Sequence, residues 1–164
     1  MLRLLLCFLA LVVLTGCPGG GSLLDSLDYP QVEPNAQDLV GLYRPTAATL
    51  KDIRERGHYA ERDISITLSG DGTFSCTNIP DWWMAEFGKP SGGFISKTGS
   101  WKPVRQQQFW VVGLDFSSST RFRSPTTTLF LVGSKPPYVL RILLGDPDEG
   151  KGMDFPRYEA TPHA

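Results

Sequence analysis

The stretch "DISITLSGDGTFSCT", residues 63–77, decides the fold. Ile64, Ile66 and Leu68 alternate with polar residues, the period-two pattern of a strand with one buried face. Gly70-Asp71-Gly72 supplies residues that tolerate the backbone of a tight turn. Phe74 and Cys76 then resume the apolar face on the way back. The pattern predicts a β-hairpin, and the chain around it repeats the theme.

Downstream, "KTGSWKPV" (97–104), "QQFWVVGLDF" (107–116), "TTTLFLVG" (126–133), "YVLRILLG" (138–145) and "MDFPRYEA" (153–160) are all strand candidates. The last is entered through the turn-rich "GDPDEGKG". Upstream, "DLVGLYRPT" (38–46) is a further strand candidate. It is followed by "TLKDIRERG" (49–57), where Thr49 can cap a short helix, Leu50 and Ile53 share a face and Gly57 is a natural stop. Eight strands in sequence with almost no helix predict an all-β fold, an antiparallel up-and-down barrel or, failing that, a sandwich. An eight-stranded barrel is just wide enough to be filled by side chains or to hold one small ligand.

The amino terminus, "MLRLLLCFLALVVLTGCPGGGS", sets the expected location. Arg3 is a short positive region and Leu4 to Leu14 is unbroken apolar sequence, within the ~7–15 residues of a signal-peptide core. A bilayer span needs ~20 such residues, so the run is too short for a permanent transmembrane helix. Leu14-Thr15-Gly16-Cys17 resembles the bacterial lipobox, in which a cysteine is acylated and becomes the mature first residue; the alternative is an ordinary signal peptide that contains a cysteine. The resemblance implies a leader over 1–16, lipidation of Cys17 and attachment to the membrane. With Pro18, not Asp, after the cysteine, the sorting rule of that family implies the outer membrane if the host is Gram-negative. Stable attachment takes more than one acyl chain, at about 0.8 kcal/mol per buried methylene, and lipoprotein maturation normally supplies two or three.

Residues 17–37, "CPGGGSLLDSLDYPQVEPNAQ", are rich in Gly, Pro and Asp and have the composition of a flexible tether. Leu23, Leu24 and Leu27 have helical spacing and offer an alternative, docking on the domain. Residues 38–164 then form one domain, large enough for a real core. Of the 16 Lys and Arg and 17 Asp and Glu, only Arg3 leaves with the leader, so the mature chain carries about two net negative charges and gives nucleic-acid binding no support. Of the three cysteines, Cys7 lies in the leader and Cys17 is the lipidation site. Only Cys76 remains as a thiol, and an intramolecular disulfide is excluded.

From roughly Asp38 to Glu159 the chain resembles a lipocalin-like (calycin) domain of bacterial lipoproteins. Lipocalins open their first strand with Gly-x-Trp; this chain has Gly41-Leu42-Tyr43 there, and Gly99-Ser100-Trp101 in a middle strand. They also place an Arg near the last strand over the first-strand aromatic. The resemblance puts Arg157 in that role, as a structural closure with Tyr43. Arg157 shares strand parity with Met153 and Phe155, so it is expected on the interior side, stacked on Tyr43.

No constellation for catalysis is readable, and no cofactor is expected. His58 and His163 are the only histidines, and neither has metal-ligand spacing to a second His or Cys. His58 is expected in solvent, and Cys76 packed beside Phe74, where a thiol is inert. Asp146, Asp148 and Glu149 lack the further ligands of a calcium loop and fit an acidic hairpin turn. Arg121 and Arg123 alternate on one strand face, suited to an anion or simply to solvent.

The residues with most to offer are aromatic. Trp82, Trp83 and Phe87 lie in "PDWWMAEFGKPSGG" (80–93), where Asp81 can cap one helical turn, and Phe94 follows. The connection is far longer than a hairpin needs, and long connections are commonly lids or binding loops. The expectation is that Asp81 to Gly93 covers one barrel mouth with Gly92-Gly93 as hinge, as a ligand-binding rim or as a plug. Two functions follow. One is a non-catalytic envelope binding module for a small hydrophobic ligand or another envelope protein. The other is a structural or assembly lipoprotein whose filled barrel docks a partner on its outer surface.

Overall fold

The computed structural model describes residues 28–84, 89–116, 126–146 and 149–159. Eight strands form one antiparallel sheet in strictly sequential order: β1 (Gly41–Tyr43), β2 (Ser65–Leu68), β3 (Thr73–Pro80), β4 (Phe94–Gln106), β5 (Phe109–Asp115), β6 (Thr126–Val132), β7 (Val139–Leu143) and β8 (Gly152–Pro156). The sheet curls until its first and last strands meet. Tyr43 and Arg157 form a β-bridge, flanked by Arg44 N–H to Pro156 O (3.2 Å) and Tyr158 N–H to Leu42 O (2.7 Å). The fold is a nearly closed up-and-down barrel, with one short helix after the first strand.

The hairpin of residues 63–77 forms in the expected register, with Ile66 opposite Cys76 and Leu68 opposite Phe74. Its turn is pinned by Asp71, whose carboxylate accepts from the N–H (2.9 Å) and hydroxyl (2.7 Å) of Thr73. Those bonds favour the ionised form and hold the Asp71 carboxyl below its usual range. Further along β3 the register shifts between Cys76 and Ile79. Asn78 takes the extra position with φ 50°, and its side chain donates to Asp63 O. The bulge returns Ile79 to the buried face.

The barrel interior is filled. Tyr43, Ile66, Leu68, Phe74, Leu114, Leu129, Leu131, Leu140 and Phe155 are all less than 2 % exposed or close to it. Side chains closed to solvent to this degree leave no space for a lipid tail between them among the described residues. The Tyr43 hydroxyl donates to Leu39 O at 2.8 Å, and burial pushes its pKa up to about 12.

Alternating strand directions give the barrel two distinct ends. At one lie the 69–72 turn, the β4–β5 turn, residues 133–138 and α1 (Ala36–Leu39), which follows its N-cap Asn35. At the other lie α2 (Ala47–Glu55), the β3–β4 connection and the β7–β8 loop. The α2 cap is Thr46, not the expected Thr49: its extended backbone follows Pro45, and its hydroxyl accepts from Thr49 N–H at 3.1 Å. Thr49 is buried and bonds Asp154 N–H instead (2.9 Å), tying the helix to β8. Gly57 is the stop as expected.

Two departures concern surface packing. Part of the stretch read as a tether is docked: Asp28 O accepts from Gly133 N–H (2.6 Å), Pro30 O accepts from Trp110 N–H (3.1 Å), and Tyr29 stacks on Phe109 at 4.7 Å. This strap covers an outer apolar patch of Val104, Phe109, Val111, Phe130 and Val132, which explains why β5 is buried on both faces. Arg157 is the second departure. Its side chain is exposed and runs across Gly41, where a Cβ would come within 2.8 Å of its Nε. The interior beside Tyr43 is already occupied by apolar groups, and a guanidinium there would lose its hydration without a partner.

β4 outruns its neighbour. β3 stops opposite Ser100, after which Trp101 N–H bonds Gly72 O at 2.8 Å. Lys102–Gln106 then pairs with β5 alone among the described strands.

Candidate functional site at the α2 end

Five aromatic rings gather where α2 and the β3–β4 connection close the barrel. Tyr59 lies 6.3 Å from Trp82 in a stacked arrangement and meets Phe94 edge-on at 5.5 Å. Trp83 packs edge-on against Phe116 (6.4 Å), which in turn meets Phe74 inside the barrel (5.2 Å). Trp82 is buried, while Trp83 and Phe94 are partly buried against the core. The two indoles thus sit on top of a filled interior. The Arg62 guanidinium lies 4.8 Å above the Phe94 ring.

A polar clamp fixes the two ends of this connection. The Asp81 carboxylate accepts from the Tyr59 hydroxyl (2.6 Å) and from Ser91 Oγ; Asp81 N–H bonds Gly93 O at 3.0 Å. A single 3-10 turn, Asp81–Met84, follows. Among the described residues the Asp81 carboxylate is held at the head of that turn by Tyr59 and Ser91, two charge-assisted bonds. Burial, followed by the neighbouring Asp81 carboxylate, pushes the Tyr59 pKa up to about 12. At Gly93 any side chain would run into Asp81 Oδ2, so the glycine serves close packing in the clamp.

Beside the aromatic cap, α2 and the β7–β8 loop enclose a pocket of about 480 Å³. Trp82 forms one wall and Leu144 part of the floor; Asp52 and Arg56 come from the helix side, and Glu149 and Lys151 from the loop. The charges are paired within each side, Arg56 with Asp52 (3.2 Å) and Lys151 with Glu149 (2.7 Å). A second, larger groove of about 650 Å³ lies on the outer sheet, lined by Lys102, Val104, Gly113, Asp115 and Thr128.

Of the other residues singled out in the sequence, His58 is exposed with φ 55° just past the helix stop. Cys76 is buried in the main core, and burial raises its pKa. Among the described residues no three His, Cys, Asp or Glu side chains converge as a metal site. No described helix is long and apolar enough to cross a membrane. Cys17 and residues 1–16, read from the sequence as a leader, together with Phe87, Arg121, Arg123, Asp148 and His163, lie outside the described residues. Sequence reasoning missed Tyr59 and Ser91, which reach Asp81 across 22 and 10 residues; neither lies in a pattern that marks it.

Comparison of the chain with family models, curated proteins and solved structures finds no match.

Proposed function

We propose that the chain is a lipid-anchored bacterial envelope protein, resembling lipocalin-like lipoproteins, that works without catalysis through its outer surface by docking another envelope protein. The filled interior carries this reading. Tyr43, Phe74, Leu129, Leu131, Leu140 and Phe155 occupy the space a small hydrophobic ligand would need, and the Trp82–Trp83 turn seats on them as a plug. A ligand held inside the barrel would have to displace fully buried side chains, each worth about 1.5–3 kcal/mol of burial. An outer surface that binds leaves that core intact.

Lipobox-like Leu14-Thr15-Gly16-Cys17 supports the anchor. Membrane fractionation of the full chain tests it: Cys17→Ser should leave the protein uncleaved or release it from membranes, and a cleaved, membrane-bound variant would overturn the lipoprotein reading. Native mass spectrometry of the protein purified from its own host tests the filled barrel. The bare polypeptide plus its anchor is expected, and an additional retained lipid-sized mass would restore an interior ligand.

A further inference from the structure

We propose that the barrel end formed by the β4–β5 turn and residues 133–137 is the face that meets the bilayer surface, and that the α2 end, with its aromatic cap, is held away from the membrane and presented to a partner. The inference rests on the lipid anchor at Cys17 and adds the orientation of the domain to it. Asp28 is fixed to this end twice, through its carbonyl to Gly133 N–H (2.6 Å) and through its carboxylate to Ser134 N–H (3.0 Å). Tyr29 is seated on Phe109, and Pro30 O is held by Trp110 N–H at the start of β5. The chain is thereby captured 11 residues after Cys17.

A polypeptide spans at most ~3.3–3.6 Å per residue, so Asp28 lies within ~40 Å of Cys17 whatever path the chain takes between them. Were the chain free as far as Asp38, the limit would be ~70 Å, enough for the domain to turn either end to the bilayer. The strap removes that freedom. β6, which ends just before Gly133, has 7 residues and carries the barrel ~20 Å away from the strapped end, with α2 and the β3–β4 connection at the far side. Bringing the α2 end to the bilayer would require residues 18–27 to run back along the barrel close to full extension. Every shorter span leaves the strapped end nearer the membrane. The side chains exposed there suit a headgroup layer: Gln106, Gln107 and Gln108 offer amides and Lys135 an ammonium, all donors to lipid phosphates.

The test uses the protein isolated from its host's membranes and reconstituted into phosphatidylethanolamine–phosphatidylglycerol vesicles whose headgroups carry a nitroxide quencher. A thiol-reactive fluorophore is attached at Lys135→Cys or Gln107→Cys on one end, or at Arg54→Cys on α2; all three positions are exposed, and Cys76 is buried. Quenching should be several-fold stronger at 135 and 107 than at 54. A Gly-Ser insert after Ser22 that doubles the free span, outside the folded domain, should bring the three positions toward equality. Equal quenching in the unaltered chain, or stronger quenching at 54, would overturn the orientation and leave the anchor standing. A difference that persists undiminished in the lengthened chain would also overturn it, because the strap would not be what sets the orientation. Failure of the purified protein to associate with vesicles at all would overturn the anchor reading, and this inference with it.

Discussion

Replacing Tyr59 by Phe removes one oxygen atom and tests whether the clamp, as distinct from aromatic packing, holds the barrel end. The ring stays, with its contacts to Trp82 and Phe94. Lost are the hydroxyl's donation to Asp81 at 2.6 Å and its weaker acceptance from Ser91 N–H at 3.3 Å. A hydrogen bond to a charged group is worth about 1.5–3 kcal/mol net. Asp81 is half-buried and keeps Ser91 as a donor, so the loss should be about 1–2 kcal/mol, or roughly 4 °C in Tm for each kcal/mol in a domain of this size. Urea unfolding measures it as a lower midpoint with unchanged slope. Tyr29→Phe is the control, because the Tyr29 hydroxyl is buried with no hydrogen-bond partner; stability should be unchanged or raised by up to about 1 kcal/mol. The same variant has an alkaline signature. The neutral phenol is favoured in the fold, with a pKa of about 12 against about 10 in the unfolded chain. Its contribution is therefore complete below pH 10 and declines as pH rises toward 12. Tyr59→Phe removes that share of the decline, while Tyr43, also at about 12, keeps its own. An unchanged midpoint for Tyr59→Phe, or an equal loss for Tyr29→Phe, would refute the clamp.

Cys76 should react slowly with a thiol reagent at neutral pH until denaturant is added, because burial both shields the sulfur and raises its pKa; rapid labelling of the native protein would contradict its place in the core. Gly99→Ala should cost on the order of 3 kcal/mol, since a Cβ there overlaps the Asp115 carbonyl and comes within 2.7 Å of Phe74 Cε1. A wild-type urea midpoint for that variant would show that β4 and β5 are not packed as closely as described.

The hairpin of residues 63–77 was legible because its apolar period, its turn chemistry and its buried face agree. The eight strands followed from the same agreement repeated along the chain. Tertiary contacts decided the rest. Thr49 has the composition of a cap, but β8 recruits its hydroxyl across 105 residues. Residues 28–34 have the composition of a linker, and only Tyr29 hints at the patch that they cover. Arg157 has interior parity, yet a single bridge at a strand end does not force a cation inward. For the candidate site, the length of the β3–β4 connection and its paired tryptophans pointed to a barrel end. The Tyr59–Asp81–Ser91 clamp and the charged pocket join segments too far apart in the chain for any local pattern to announce.

The overhang of β4 beyond β3 has a consequence for how the molecule behaves in a crowd. A strand with one unpaired side is a template on which other chains can polymerise. Trp101 N–H points to that side, toward Gly72, and strand alternation gives the next donor on the same side to residue 103. That residue is proline, which has no N–H to give. Lys102 and Arg105, both exposed, flank it with like charge. Among the described residues this open border of β4 thus loses a backbone donor at its centre and carries like charge on either side of it, so copies brought together at high concentration would be hindered from recruiting one another into fibres.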